Sequence, residues 1–150
     1  CESGTALAEV LLGLVNPSGH LPETFPRSLA DSPAHAVGTF GLKGHVDYTE
    51  DIYVGYRYYE TRKVPVRFCF GHGLSYTDFE YSDCDVRRID GDIRVRCVVD
   101  NVGPRQGATV VQIYLGLEGT GEDRPLRELR GYAKVDLAPG ERREVVVDIP

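Results

Sequence analysis

Apolar residues recur at helical spacing near the start of the chain. Ala6, Leu7, Val10, Leu11 and Leu14 fall on one face, with Glu2 and Glu9 off it. This spacing predicts a helix over residues 4–12, stopped at Gly13. Asn16-Pro17-Ser18-Gly19 then reads as a turn. Leu21 to Pro26 is short and extended, and its prolines confine it to an edge or a strand end. Residues 27–49 lack a periodic apolar pattern and read as a long loop, a length that marks function or linkage. Ile52 to Tyr59 has strand composition, with Gly55 predicting a bulge or a close backbone approach. On such a strand Tyr56 and Tyr58 share one face, and Tyr53 and Tyr59 the other. Val64 to Phe70 is a second extended piece, broken by Gly71-His72-Gly73, where at least one glycine takes positive φ.

From Leu74 onward the period changes to two. Strands are expected at Tyr76–Val86, around Ile93–Val99, at Thr109–Leu117, at Glu128–Leu137 and at Glu144–Ile149. Ile93, Val95, Cys97 and Val99 alternate with Arg94, Arg96, Val98 and Asp100, the signature of a half-buried strand. Asp90-Gly91-Asp92, Gly103 to Gly107 and Ala138-Pro139-Gly140-Glu141 supply the turns. The fold expected is mainly β, an antiparallel β-sandwich of immunoglobulin or fibronectin III-like type. Its five strands fall short of the usual number of about seven, so the sandwich reads as incomplete. An apolar last strand, Val145 to Val147, then leaves an unpaired edge, and self-association through it is expected.

Composition changes the picture in a few places. The chain has 150 residues, 41% of them hydrophobic and 27% charged, as in a globular protein. A net charge of −6 argues against a nucleic-acid-binding surface, and no apolar run is long enough to span a membrane. The chain opens at Cys1 and contains no Met, so it reads as an interior piece or a processed product. Trp, the commonest sugar-stacking residue, is absent, while nine Tyr remain. The absence of an Asn-x-Ser/Thr sequon gives no support to a glycosylated secreted form. Cys1, Cys69, Cys84 and Cys97 form no CxxC pair, which argues against a zinc site. Reduced, buried thiols are favoured over disulfides, Cys97 first among them.

Candidate chemistry is sparse. Gly73-Leu74-Ser75 lacks the closing glycine of a nucleophile elbow, since Thr77 stands there. His20, His35, His45 and His72 show no metal-ligand spacing. Glu50 and Asp51 are adjacent carboxylates, but on an extended segment they point to opposite faces, unlike a glycosidase pair. The tyrosines of 53–59 read as interface packing rather than a sugar platform. Arg57 between them is placed to pair with a carboxylate of a neighbouring unit. His72, between two glycines, reads as a residue that ties a tight corner by hydrogen bonds.

Four motifs then carry a resemblance. Asn16-Pro17-Ser18-Gly19-His20-Leu21-Pro22-Glu23-Thr24-Phe25-Pro26 is similar to NPSGRLPxTFP. Tyr48-Thr49-Glu50-Asp51-Ile52-Tyr53-Val54-Gly55-Tyr56-Arg57-Tyr58-Tyr59 resembles YxEGIxVGYRYY. Phe70 to Thr77 matches FGHGLSYT, and Arg124 to Glu141 resembles RPxKELxGFxKVxLxPGE. Together they resemble the C-terminal part of glycoside hydrolase family 3 enzymes of the β-glucosidase type. The resemblance implies that residues 1–26 end an α/β sandwich domain and contribute a short helix and strand. It implies that 27–73 connect, and that 74–150 form a fibronectin type III-like domain lacking its last two strands. The family's nucleophile and acid/base lie upstream, so no catalytic residue is carried over. The implied mechanism is retaining hydrolysis with no metal or cofactor. His20 stands where Arg is usual, Asp51 where Gly is usual, and Cys69 where Pro is frequent.

Two functions follow from these expectations. In the first, the chain is a non-catalytic fragment of a β-glycosidase that braces the upstream barrel and α/β domains. Tyr48 and Glu50 are then the candidates for the active-site rim, because a long loop beside an aromatic segment belongs at an interface. In the second, it is a stand-alone β-sandwich module that binds a polysaccharide or a protein.

Overall fold

A computed structural model describes residues 2–38, 40, 44–117 and 123–150. Cys1, and four positions of the expected 27–49 loop, lie outside the described residues. The elements in order are helix α1 (Ser3–Leu11), strand β1 (Phe25–Pro26), a 3₁₀ turn (Leu29–Asp31), and helices α2 (Pro33–Ala36) and α3 (Tyr56–Thr61). Strands β2 (Val66–Phe68), β3 (Phe79–Ile89), β4 (Asp92–Asn101), β5 (Gly107–Leu115), β6 (Glu128–Leu137) and β7 (Arg142–Ile149) follow. The protein is mainly β, and the pairs β1–β2, β3–β4 and β4–β7 are antiparallel. It divides into two compact units: residues 1–20, 73–113 and 130–150 in one, residues 21–72 and 114–129 in the other.

The first unit is built around β3-β4-β7, in that order, and the body of the β5-β6 pair. The period-two pattern does what it predicts. Val95, Cys97 and Val99 of β4 are buried, while Arg94, Arg96 and Val98 between them are not. Cys97 and Val99 close a core with Val111 of β5, Val135 and Leu137 of β6 and Val145 of β7. The β3–β4 hairpin turns at Asp90 (φ 52°) and Gly91 (φ 100°), two successive left-handed residues that match the right-handed twist of the strands. Among the described residues β7 ends its sheet, pairing with β4 alone. Helix α1 begins and ends one residue before the expected span, capped by Leu12, and Gly13 follows at φ 70°, a left-handed conformation that favours glycine.

One buried amide organises the turns of this unit. Asn101, 1% exposed, accepts from the Thr77 hydroxyl (2.6 Å) and the Gly103 N–H (3.1 Å). Its amide donates to the carbonyls of Arg105 (2.7 Å) and Leu137 (2.9 Å). Gly103 packs so tightly here that a Cβ would stand 2.2 Å from the Thr77 hydroxyl. Asn16 does the same work near α1. It donates to the Gln106 carbonyl (3.0 Å) and accepts from the Ser75 hydroxyl (3.1 Å) and the Tyr76 N–H (2.8 Å). The NPSG and GLSYT segments are thus joined through one side chain.

The second unit departs from expectation. Residues 52–59 do not form a strand. Gly55 sits at φ 60°, ψ −134°, a region that essentially only glycine populates, and the chain turns there into α3. A Cβ at Gly55 would meet open space, so the demand is conformational rather than steric. The expected split of the tyrosines between two faces fails for the same reason. Tyr53, Tyr58 and Tyr59 bury together against Val64 and Val66, which successive helical residues can do and successive strand residues cannot. The loop expected over 27–49 carries the 3₁₀ turn and α2. The first is set by Ser28 and Asp31, whose carboxylate accepts from the Ser28 N–H (2.9 Å) and hydroxyl (2.8 Å). The extended pieces are present but short, β1 pairing antiparallel with β2.

Candidate functional site

The residues best placed to meet a ligand or a neighbouring domain lie in the second unit, where 48–62 and 123–129 come together. Glu50 begins a turn, its carbonyl accepting from the Tyr53 N–H (2.8 Å). Asp51 within that turn takes φ 46°. A left-handed residue is needed at this point, and aspartate tolerates that conformation better than most side chains, so it can stand where the resembling pattern has glycine. The turn buries Tyr53 and leaves Tyr48 outside, 87% exposed.

The buried tyrosine hydroxyl donates to Asp123 Oδ1 in a short bond. This bond to a carboxylate, then burial, pushes the phenol pKa above its ordinary value, so Tyr53 stays protonated as a donor. The Arg62 guanidinium lies 4.8 Å from the ring centre on its face. In the first turn of α3, Arg57 pairs with Glu128 at 2.9 Å, and its Nε is buried without a hydrogen-bond partner. Arg127 closes a two-pronged bond on Glu60 (2.7 and 2.8 Å) and stacks over Tyr114. The Tyr56 ring stacks on Phe70 at 4.7 Å and its oxygen accepts from the Leu129 N–H (2.7 Å).

These contacts frame an open pocket of about 370 Å³ lined by Ile52, Arg57, Asp123, Arg124, Pro125 and Glu128. Its polar groups are carboxylates and guanidinium groups, Arg57 and Glu128 fixed by each other and Asp123 by the Tyr53 hydroxyl. Such a surface can hydrogen-bond a hydroxyl-rich or peptide partner, but its acids are already engaged, Asp123 by Tyr53 and Glu128 by Arg57. Neither Tyr48 nor Glu50 lines it, although both belong to the segment that forms one wall. Arg57 does find a carboxylate, and it is Glu128 of the same unit. Asp123 and Glu128 were not singled out from sequence. They stand about 70 residues from their partners, and no local spacing signals such a pair.

The other residues considered have structural places. His72 stacks on Phe68 (5.2 Å), its N–H donates to the Cys69 carbonyl and its carbonyl accepts from Leu21. Gly71 beside it takes φ 77°. His20 bridges to Gly73, where a Cβ would come within 2.9 Å of its imidazole. Among the described residues no group of His, Cys, Asp and Glu is arranged to hold a metal ion, and no helix is long and apolar enough to cross a membrane.

Comparison with known proteins agrees with the motifs. Residues 1–76 match the glycosyl hydrolase family 3 C-terminal domain, and residues 109–150 match the fibronectin type III-like domain. The chain is 47% identical to the probable beta-glucosidase J of Neosartorya fischeri, over 99% of this chain and 18% of that protein. It is 47% identical to the thermostable beta-glucosidase B of Acetivibrio thermocellus, over 95% of this chain and 19% of that one. The structure of beta-glucosidase 3B from Thermotoga neapolitana in complex with glucose superposes with a TM-score of 0.92 at 46% identity, covering 99% of this chain and 21% of that one. The chain thus spans about a fifth of the length of the relatives it matches. With motifs and end-to-end similarity in agreement, the chain belongs to the glycosyl hydrolase family 3 C-terminal domain family and carries a fibronectin type III-like domain in its second half.

Proposed function

We propose that this chain is the non-catalytic C-terminal part of a retaining β-glycosidase of the β-glucosidase type, and that it braces the catalytic domains of that enzyme. The carrying observation is its match, over nearly its whole length, to about a fifth of several beta-glucosidases. In this reading residues 1–26 close an α/β domain, 27–73 connect, and 74–150 form the fibronectin-like domain. The substrate, a terminal β-linked sugar, is hydrolysed by residues of the upstream barrel and α/β domains. Tyr48 and Glu50 form part of the rim. The exposure of Tyr48, just ahead of the turn that is anchored by the Tyr53–Asp123 bond, supports a role in contact rather than in folding.

The test is made on the native polypeptide that carries this chain. Its mass is expected to be several times 16.6 kDa, and it is expected to hydrolyse an aryl β-glucoside. In that protein Tyr48→Ala and Glu50→Ala are expected to raise KM several-fold while leaving kcat within about twofold, the mark of lost ground-state binding. A native mass of 16.6 kDa with no hydrolysis would overturn the reading. Retention of such a chain on insoluble polysaccharide would assign it to a binding module instead.

A further inference from the structure

Strand β3 is interrupted where it passes the core. Its register to β4 runs from Phe79↔Asn101 to Ser82↔Val98, then resumes at Asp85↔Arg96. Two residues of β3, Asp83 and Cys84, therefore face one residue of β4, and that residue is Cys97. Asp83 takes φ 50°, the left-handed residue of the bulge. The bulge shifts the alternation by one residue: Tyr81 still opposes Val99, but Val86 opposes Val95, so Cys84, two residues before Val86, falls on the face that Cys97 shares with Val95 and Val99. Both cysteines are free thiols here. Cys97 is 4% exposed and Cys84 lies on the exposed outer strand.

We propose that Cys84 and Cys97 are a redox couple, a modification site at which a small disulfide oxidant clasps β3 to β4. The paired residues on either side of the bulge keep the two strands at the usual antiparallel spacing of about 4.5–5.5 Å between Cα atoms, and a disulfide spans about 4.4–6.8 Å. An unbroken register would set Asp83 against Cys97 and Cys84 against Arg96; the bulge brings Cys84 to the Cys97 position instead. The asymmetry of exposure sets the order of events. The Cys84 thiolate attacks one sulfur of the oxidant, RSSR; the S–S bond of the oxidant breaks and RS⁻ leaves to take a proton. The Cys97 thiolate then attacks Cys84 Sγ in the mixed disulfide and displaces the second RS⁻. Two protein thiols give up two electrons and two protons, and RSSR becomes two RSH. Reduction by excess thiol reverses both steps. This inference stands on the first unit alone and does not depend on the proposed glycosidase role.

The experiment uses the full-length native protein with glutathione disulfide as oxidant. Remaining thiols are capped with N-ethylmaleimide, and tryptic peptides are sequenced by mass spectrometry. Expected is a link between Cys84 and Cys97, the peptide pair lighter than its reduced parts by two hydrogens and abolished by dithiothreitol. Cys97→Ser is expected to stop the reaction at a Cys84–glutathione adduct. Cys84→Ser is expected to leave Cys97 a thiol, alkylated only after denaturation, and circular dichroism on that exposed-site variant confirms its fold. A wild-type protein that keeps the Cys84–glutathione adduct with Cys97 uncoupled would overturn the proposal. So would a link from Cys97 to any cysteine but Cys84.

Discussion

Asn101 shows how much of this domain rests on a single side chain. All four of its hydrogen-bonding positions are used, two accepting and two donating, in a place water does not reach. A neutral buried hydrogen bond adds only modest net stability, but removing one partner leaves the others desolvated and unmatched. Asn101→Ala strands the Thr77 hydroxyl and the Leu137 carbonyl and opens a void beside Leu137. We expect a loss of about 2–4 kcal/mol in urea denaturation. Asn101→Asp is expected to recover little of it, because its second oxygen would face two carbonyls that now receive amide hydrogens. A loss under about 1 kcal/mol for Asn101→Ala would mean the network rearranges or admits water. Asp51 is the opposite case. It holds a left-handed turn that glycine would hold at lower cost, and the short polar side chain of aspartate makes this possible.

Elements follow from sequence where local pattern and burial agree, and not where a tertiary demand overrides composition. β6 has the bounds its alternation predicts, Glu128 to Leu137, because Pro139-Gly140 ends it and one face meets the core. Residues 52–59 have the composition of a strand, yet Gly55 redirects the chain and the tyrosine cluster stabilises the turn of helix that follows. The 370 Å³ pocket was out of reach for another reason: its two walls are distant in sequence, and each reads locally as an ordinary charged surface. The strands near the C-terminus also carry a testable pH dependence. Glu141 accepts from the Ala138 N–H (2.8 Å) across the β6–β7 turn, and this bond first, then Arg143, holds its carboxyl below the ordinary range. Arg94 does the same to Asp148 through two bonds between β4 and β7 (2.6 and 2.9 Å). A carboxyl whose pKa is lower folded than unfolded stabilises the fold above the unfolded value, about 4, and loses that contribution as pH falls through the folded value. The Tm is therefore expected to fall as pH drops below about 4. Glu141→Gln combined with Asp148→Asn should flatten part of that fall. Curves that stay parallel from pH 7 downward would show that neither carboxylate matters to it.

At the scale of the whole molecule the decisive feature is apolar surface that the chain does not cover. Helix α1 buries none of its residues, and Leu7, Leu11, Leu12 and Leu14 at and beyond its end are 60–74% exposed. Scattered apolar residues on a surface are ordinary; four leucines within eight positions form a patch that associates. If the proposed bracing role holds, this patch is the surface the upstream domains cover, and the 150-residue chain made alone exposes it. The outer edge at β7, with Val146 47% exposed, is a second adhesive surface of a different kind, since among the described residues no strand pairs with its outer backbone. The isolated chain is therefore expected to elute above monomer mass in light-scattering chromatography, increasingly so with concentration. The two surfaces can be told apart. Leu11→Glu with Leu12→Glu charges the helix and leaves the sheet untouched; Val146→Lys charges the edge strand and leaves the helix untouched. Restoration of the monomer by the helix pair alone would identify α1 as the surface made for a covering domain. Restoration by Val146→Lys alone would place the association at the sheet edge, and a wild-type chain monomeric at every concentration would remove the leucine patch from consideration as an interface.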